Sequence, residues 1–234
     1  LRTLERDALL APQDYAALLE EVNDVLENEP EELRPRDSAG RAGGLIELAA
    51  GIETLLLPDL HGRTDFLLTI LLAEEWDALA RMQAVQLQVV CVGDGFHGEA
   101  RAYRRWQEAY SEWQTGWQHH SAMDEEMIES LGVMEAVMRA KLAAPQHFHF
   151  LKGNHENIAN ELGGGNYPFV KFVEEGEMVA SYVRHFLGAE FLDAYYRFEK
   201  NLPLVAAGDT FVVSHAEPIR PFAREEIVAY RDRE

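Results

Sequence analysis

Asp59 and His61, Asp94, Asn154 and His155, and His215 each follow a short apolar run, and their side chains are of types that bind metal ions. Aspartates, histidines and an asparagine oxygen suit a mixed nitrogen and oxygen site for borderline divalent ions such as manganese, iron or zinc. No thiolate cluster competes for that role, because the chain has a single cysteine, Cys91. Asp94 would be the bridging carboxylate of a pair of ions. Two ions about 3.5–4 Å apart lower the pKa of a shared water to make hydroxide, bind phosphate oxygens and stabilise an in-line displacement.

The elements that must position these residues follow from the pattern around them. Thr54 to Leu57 reads as a strand ending in Pro58-Asp59-Leu60-His61-Gly62. A helix is expected over Thr64 to Met82, with Thr64 as N-cap and Leu68, Leu71, Leu72, Glu75, Leu79 and Met82 on one side. Leu87 to Val92 is a second strand, ending in Gly93-Asp94-Gly95, so the unit is β-α-β with a parallel pair. Residues 100–143 predict two helices broken near Gly116 to Ser121, with Trp106, Trp113 and Trp117 packing them onto the body. A third strand, Phe148 to Leu151, leads to Gly153-Asn154-His155-Glu156, and a fourth, Phe211 to Ser214, leads to His215. Between them lie a turn, Leu162-Gly163-Gly164-Gly165-Asn166, a candidate mobile edge of the pocket, and helical segments over 169–200. Ahead of all this, Tyr15 to Asn28 forms an amphipathic helix and residues 31–44 a charged, non-periodic loop. In sheets built from β-α-β units, ligands bind at the C-terminal ends of the strands, which is where the six residues fall.

Asp59-Leu60-His61-Gly62, Gly93-Asp94, Gly153-Asn154-His155-Glu156 and Ser214-His215-Ala216 resemble, in order, the motifs of calcineurin-like metallophosphoesterases, closest to the phosphoprotein (Ser/Thr) phosphatase branch. The resemblance spans residues 54–218. It implies an α/β fold of metallophosphoesterase type, a β-sandwich flanked by helices, with a helical insertion at about 100–146, and two divalent metal ions. Asp59, His61 and Asp94 would hold one ion, and Asp94, Asn154 and His215 the other. His155 would be the general acid that protonates the leaving alkoxide. The implied activity is hydrolysis of phosphate monoesters by a metal-bridging hydroxide, on a phosphorylated protein or a small molecule. The alternatives are a nucleotide or small-molecule phosphoesterase and a non-catalytic metal-binding interaction module.

The departures keep those alternatives open. After Gly-Asp the phosphatase branch carries an aspartate that orients the catalytic histidine and an arginine that clamps phosphate; here His97 and Gly98 stand in their places. Glu99 is a candidate to orient an imidazole, and Arg63, Arg101 or Arg220 to supply the guanidinium. His97 reads equally as a partner behind the site or as structural filler. The late metal-binding histidine of the family has no counterpart after His215, and the chain begins at Leu1 and ends in a polar helix start. The sequence therefore reads as one domain over residues 1–234 with an incomplete C-terminus. Of the other histidines, His147 and His149 read as the polar face of a strand and His119-His120 as a solvated break between helices.

Charge and composition bound the partners. Asp plus Glu number 41 against 21 Lys plus Arg, a net charge of −20. That repels nucleic acid and anionic membranes at long range, while metal ions still allow an anionic substrate to bind. At 234 residues and 47% apolar the chain suffices for one core. A lone cysteine in an apolar run, no membrane-length apolar stretch and no signal-peptide layout predict a cytoplasmic protein.

Overall fold

The computed structural model describes residues 9–163 and 166–232, so Gly164 and Gly165 of the glycine-rich turn and residues 233–234 of the expected C-terminal helix lie outside the described residues. Among the described residues, two three-stranded sheets and eight α-helices make a mixed α/β fold. Strands β2 (Glu53–Leu57), β3 (Leu87–Cys91) and β4 (Phe148–Phe150) form a parallel sheet in that order, with Leu57 opposite Cys91 and Cys91 opposite Phe150. The register therefore brings the ends of all three strands, and the motifs that follow them, to one edge. The central strand β3 is buried throughout, as expected of a parallel strand covered on both faces.

Alternation along β3 splits the core in two. Val89 and Cys91 join the large apolar cluster, which includes residues of α1 (Pro12–Glu27), α2 (Thr64–Leu72), α3 (Ala78–Gln83), α4 (Tyr103–Gln114) and α5 (Ser121–Ala143). Val90 points the other way and packs with Leu151, Ile46, Leu48 and Ala206. The last three belong to or adjoin the second sheet, in which β5 (Val205–Ala207) lies between β1 (Leu45–Glu47), parallel to it, and β6 (Val212–Ser214), antiparallel. That sheet delivers His215. Trp106 is buried, and Trp117 is buried with its indole N–H donated to Ser181 Oγ at 3.1 Å, so the tryptophans serve as core.

Several expectations need correction. The helix over 64–82 is two helices, α2 and α3, with Asp77 in the left-handed region at φ 44° between them. A continuous helix would turn Glu75 onto the core side along with Leu72 and Leu79; breaking at Ala73 keeps that carboxylate in water. Thr64 is the first helical residue, and Arg63 holds the N-cap position without a side-chain bond. His149 is not on a polar face: both faces of β4 are covered, and the ring is buried between Phe148 and Phe150, themselves buried. Strands β1 and β5 were not expected at all. The helical stretch over 169–200 is α6 (Glu175–Tyr182), a π-helical turn (Val183–Leu187) and α7 (Ala189–Asn201); a short α8 (Arg224–Val228) follows β6.

Candidate metal centre

The loops after β2 and β3 are tied to one another by backbone hydrogen bonds, and the loop after β4 joins them through the side chains of Glu156 and Asp94. His61 N–H donates to Asp94 O at 2.7 Å and Gly62 N–H to Gly95 O at 2.7 Å. Two glycines permit the approach of the β3 and β4 ends. A Cβ on Gly93 would lie 2.7 Å from Gly153 N, and one on Gly153 would lie 2.2 Å from Asp94 Oδ1. Glu156 then locks the junction, because its buried carboxylate accepts the N–H groups of Asp94 (2.9 Å), Gly95 (2.8 Å) and Gly153 (2.7 Å). Non-glycine residues with positive φ cluster here: His61 (45°), Asp94 (52°), His97 (78°) and Glu99 (56°). Each such residue costs on the order of 1–3 kcal/mol, and this strain concentrates where side chains must be aimed.

The side chains converge on Asp94. Ligand atoms of Asp59, His61 and Asp94 all lie within 4.8 Å of one another, a group able to hold one metal ion. Asp94 Oδ2 is 3.9 Å from His61 Nε2, whereas Oδ1 is 3.6 Å from His215 Nε2. Asp59 likewise faces His61 Nε2 (3.9 Å) and His215 Nδ1 (3.5 Å). His215 Nε2 is 2.9 Å from Asn154 Oδ1, so Asn154 and His215 form the second flank. Ligands held about 2.1 Å from one ion stand roughly 3–4 Å apart, close to these spacings.

The tautomers fit as well. His61 Nδ1 lies 3.2 Å from Phe96 O and His215 Nδ1 3.0 Å from Val92 O. A carbonyl only accepts, so each Nδ1 carries a proton and each ring turns its Nε2 toward Asp94. Metal-binding imidazoles are oriented in this way by backbone carbonyls. The donor set and these bonds fit a divalent cation.

His155 sits differently. Its backbone N–H donates to Asp94 Oδ1 at 3.0 Å and its Nε2 is 3.8 Å from Asp94 Oδ2. The ring is held by packing: Phe169 stacks on it at 4.7 Å, and His61 and His97 meet it edge-on at 5.3 Å. Its Nδ1 is buried without a hydrogen-bond partner among the described residues. Burial, then the neighbouring imidazoles of His97 and His61, push its pKa down to about 3. Burial and the Asp94 carboxylate push Glu156 up to about 7, and burial raises Asp94 too.

His97 is buried behind the site, stacked on Trp106 at 5.0 Å, with Nε2 3.4 Å from Glu175 Oε1. Glu99 faces His61 Nε2 (3.5 Å) and His97 Nδ1 (3.7 Å), and it pairs with the Lys171 ammonium. Burial is the largest influence on Glu99 and opposes its charge, but the Lys171 hydrogen bond and the charges of His61, Lys171 and His97 together outweigh it and hold the carboxyl below its usual range. Arg63 braces the first loop by donating to the carbonyls of Asp59 (2.8 Å) and Leu60 (3.2 Å).

Sequence reasoning missed Glu156, and it missed the segment 169–175 that straps the site. In it, Phe169 covers His155 and Lys171 reaches Glu99. Phe172 packs on His97 at 5.3 Å, while Glu175 accepts the N–H groups of Lys171 (2.9 Å), Phe172 (2.6 Å) and Val173 (3.1 Å). The Asn-His-Glu triplet and a Lys-Phe-Val-Glu-Glu run, ending at Glu175, are the sequence traces of these contacts.

The cations near the site differ in how firmly they are held. Arg105 donates to Glu126, whose side chain is 1% exposed, and to Glu129. Removing one partner from a buried pair costs about 3–5 kcal/mol. Arg101 is shared among Gly98 O, His61 O and Glu129. Arg220 is engaged with Glu226 and Phe222. Lys171 and Glu99, in contrast, are 43% and 27% exposed, and such pairs contribute only about 0–1 kcal/mol.

No protein-family model matches the chain, and no curated protein matches it. Among solved structures it is similar to one described as a protein serine/threonine phosphatase from Saccharomyces cerevisiae with similarity to human phosphatase PP5, at 14% identity and a TM-score of 0.44. The alignment covers 86% of this chain and 46% of that one, so the chain spans under half of that structure's length. No helix among the described residues is long and apolar enough to cross a membrane.

Proposed function

We propose that this chain is a metal-dependent phosphoesterase that hydrolyses phosphate monoesters, with a metallophosphoesterase-type arrangement of its two sheets. Asp59, His61 and Asp94 would hold one divalent ion and Asp94, Asn154 and His215 a second, drawn from manganese, iron or zinc. The observation that carries this reading is Asp94, whose two oxygens face two different imidazoles, each with its Nδ1–H donated to a backbone carbonyl. Ions bound there supply an activated water and neutralise phosphoryl charge.

The remaining work falls to the protein's own groups. Asp94 joins the two halves of the site, and Glu156 fixes Asp94 by holding its N–H. His155 directs Nε2 toward the cluster and would deliver a proton to the leaving oxygen once a substrate dianion compensates the imidazolium. The substrate is a phosphorylated protein or a small molecule. Gly98 stands where a phosphate-clamping arginine is expected, and this favours, as the second reading, a metal-binding module without turnover.

Hydrolysis of p-nitrophenyl phosphate with and without manganese, run beside metal analysis by plasma mass spectrometry, separates the readings. The wild type should bind metal and turn over only with it. Asp94→Asn should lose most of its activity and bound metal on both flanks. Wild-type metal content in Asp94→Asn would refute the bridge, and metal binding without hydrolysis would leave the module.

A further inference from the structure

The geometry points to Lys171 as the side chain that binds the phosphoryl group of the substrate, in place of the guanidinium expected where this chain has Gly98. The assignment rests on the phosphoesterase reading of the metal centre and supplies the cation that reading lacks.

At Gly98 no arginine side chain can start, and the space beside it is already filled. A Cβ there would lie 2.9 Å from Arg101 Nη1 and 3.0 Å from Arg105 Nη2. Those guanidiniums are spent on Glu126, Glu129 and the carbonyls of His61 and Gly98. Arg63 is turned onto the Asp59 and Leu60 carbonyls and the Phe66 ring. Lys152 has its electrostatic partners in Glu161 and Glu199.

Lys171 differs on each count. One carboxylate separates its ammonium from the candidate metal ligand His61: Glu99 pairs with Lys171 through Oε2 and stands 3.5 Å from His61 Nε2 through Oε1. Its backbone is fixed, because Glu175 accepts the Lys171 N–H at 2.9 Å, and the same strap seats Phe169 on the His155 ring. The ammonium is therefore aimed at the site by a rigid segment, while Glu99, its acidic partner among the described residues, is partly exposed and exchangeable. An ammonium binds phosphate as a point charge with three donors and needs no planar fork. A phosphoryl group seated at the metal centre takes Lys171 over from Glu99.

The test uses the whole chain loaded with manganese and inorganic phosphate as the probe, measured by titration calorimetry and as inhibition of p-nitrophenyl phosphate hydrolysis. Lys171→Met should weaken phosphate about tenfold to a hundredfold while manganese content stays at the wild-type level. Lys171→Arg, which keeps the charge, should stay within a few-fold of wild type. Wild-type phosphate affinity in manganese-loaded Lys171→Met overturns the assignment. Equal weakening in the Met and Arg variants also overturns it, because the side chain would then act through the shape of the strap. Absence of manganese binding by the wild type overturns the reading of the whole centre, and the role of Lys171 with it.

Discussion

At His155 two effects oppose each other. Position favours acid catalysis: Nε2 faces Asp94 across 3.8 Å, at the edge of the candidate metal centre. Environment favours the neutral ring, since burial and neighbouring imidazoles hold its pKa near about 3 and no carboxylate accepts from Nδ1 among the described residues. An acid in that setting matters most where the leaving group is basic. His155→Ala should lower turnover by about 10²–10⁴ on alkyl phosphates and far less on aryl phosphates, whose phenolates leave unaided. Equal losses on both substrates, with metal content retained, would make His155 a positioning residue only. The six residues at the strand ends were legible in the sequence because each follows an apolar run and ends in a side chain with lone pairs. Glu156 and Lys171 were not, because their roles depend on partners far away along the chain, the N–H groups of Asp94 and Gly95 for one and the Glu99 carboxylate for the other. A carboxylate after a histidine shows nothing of such partners until β3 and β4 lie side by side.

The two strand-end loops of β3 and β4 are closer than most side chains allow, and this sets the second test. Adding one methyl at Gly153 places a carbon 2.2 Å from Asp94 Oδ1 and 2.7 Å from Asp94 N. Neither neighbour is free to retreat, since Glu156 holds that N–H and His155 N–H holds that oxygen. Gly153→Ala should therefore cost about 1–3 kcal/mol of stability and weaken metal binding with it. Thermal unfolding and a manganese titration check both. A variant with unchanged melting temperature and full affinity would mean that the junction is looser than its hydrogen bonds imply. At this scale the parallel β2-β3-β4 unit and helices α1, α4 and α5 could be read from periodicity. Strands β1 and β5 could not, because neither runs into one of the motifs that marked the equally short β4 and β6. Nor could the interruption after Leu72, which depends on which side of the helix faces the core.

Packing across the molecule also places ionisable groups where only the complete fold can explain their behaviour. Glu199 of α7 is buried, and both its oxygens lie 3.2 Å from Ile158 N, just past the His155 loop. Lys152 offsets little of its desolvation, and burial pushes its pKa up to about 8. Between an unfolded value near about 4.3 and that folded value, the native state holds a proton that the unfolded chain has released. The contribution of Glu199 to stability is therefore fully present below the unfolded pKa and is lost as pH rises through the folded one. Its largest slope is about 1.4 kcal/mol per pH unit. Glutamine keeps an acceptor for Ile158 N–H and cannot ionise. Glu199→Gln should match the wild type near the unfolded pKa and become progressively more stable than it up to about pH 8, above which the difference stays constant. Urea unfolding of the two proteins at closely spaced pH values, with chelator present so that metal occupancy does not vary, measures the difference directly. Parallel stability curves would show that Glu199 is ionised in the native state. Its charge would then have to be carried by Lys152 and Ile158 N–H alone, and the anchoring of the His155 loop to α7 would be ionic rather than a neutral hydrogen bond.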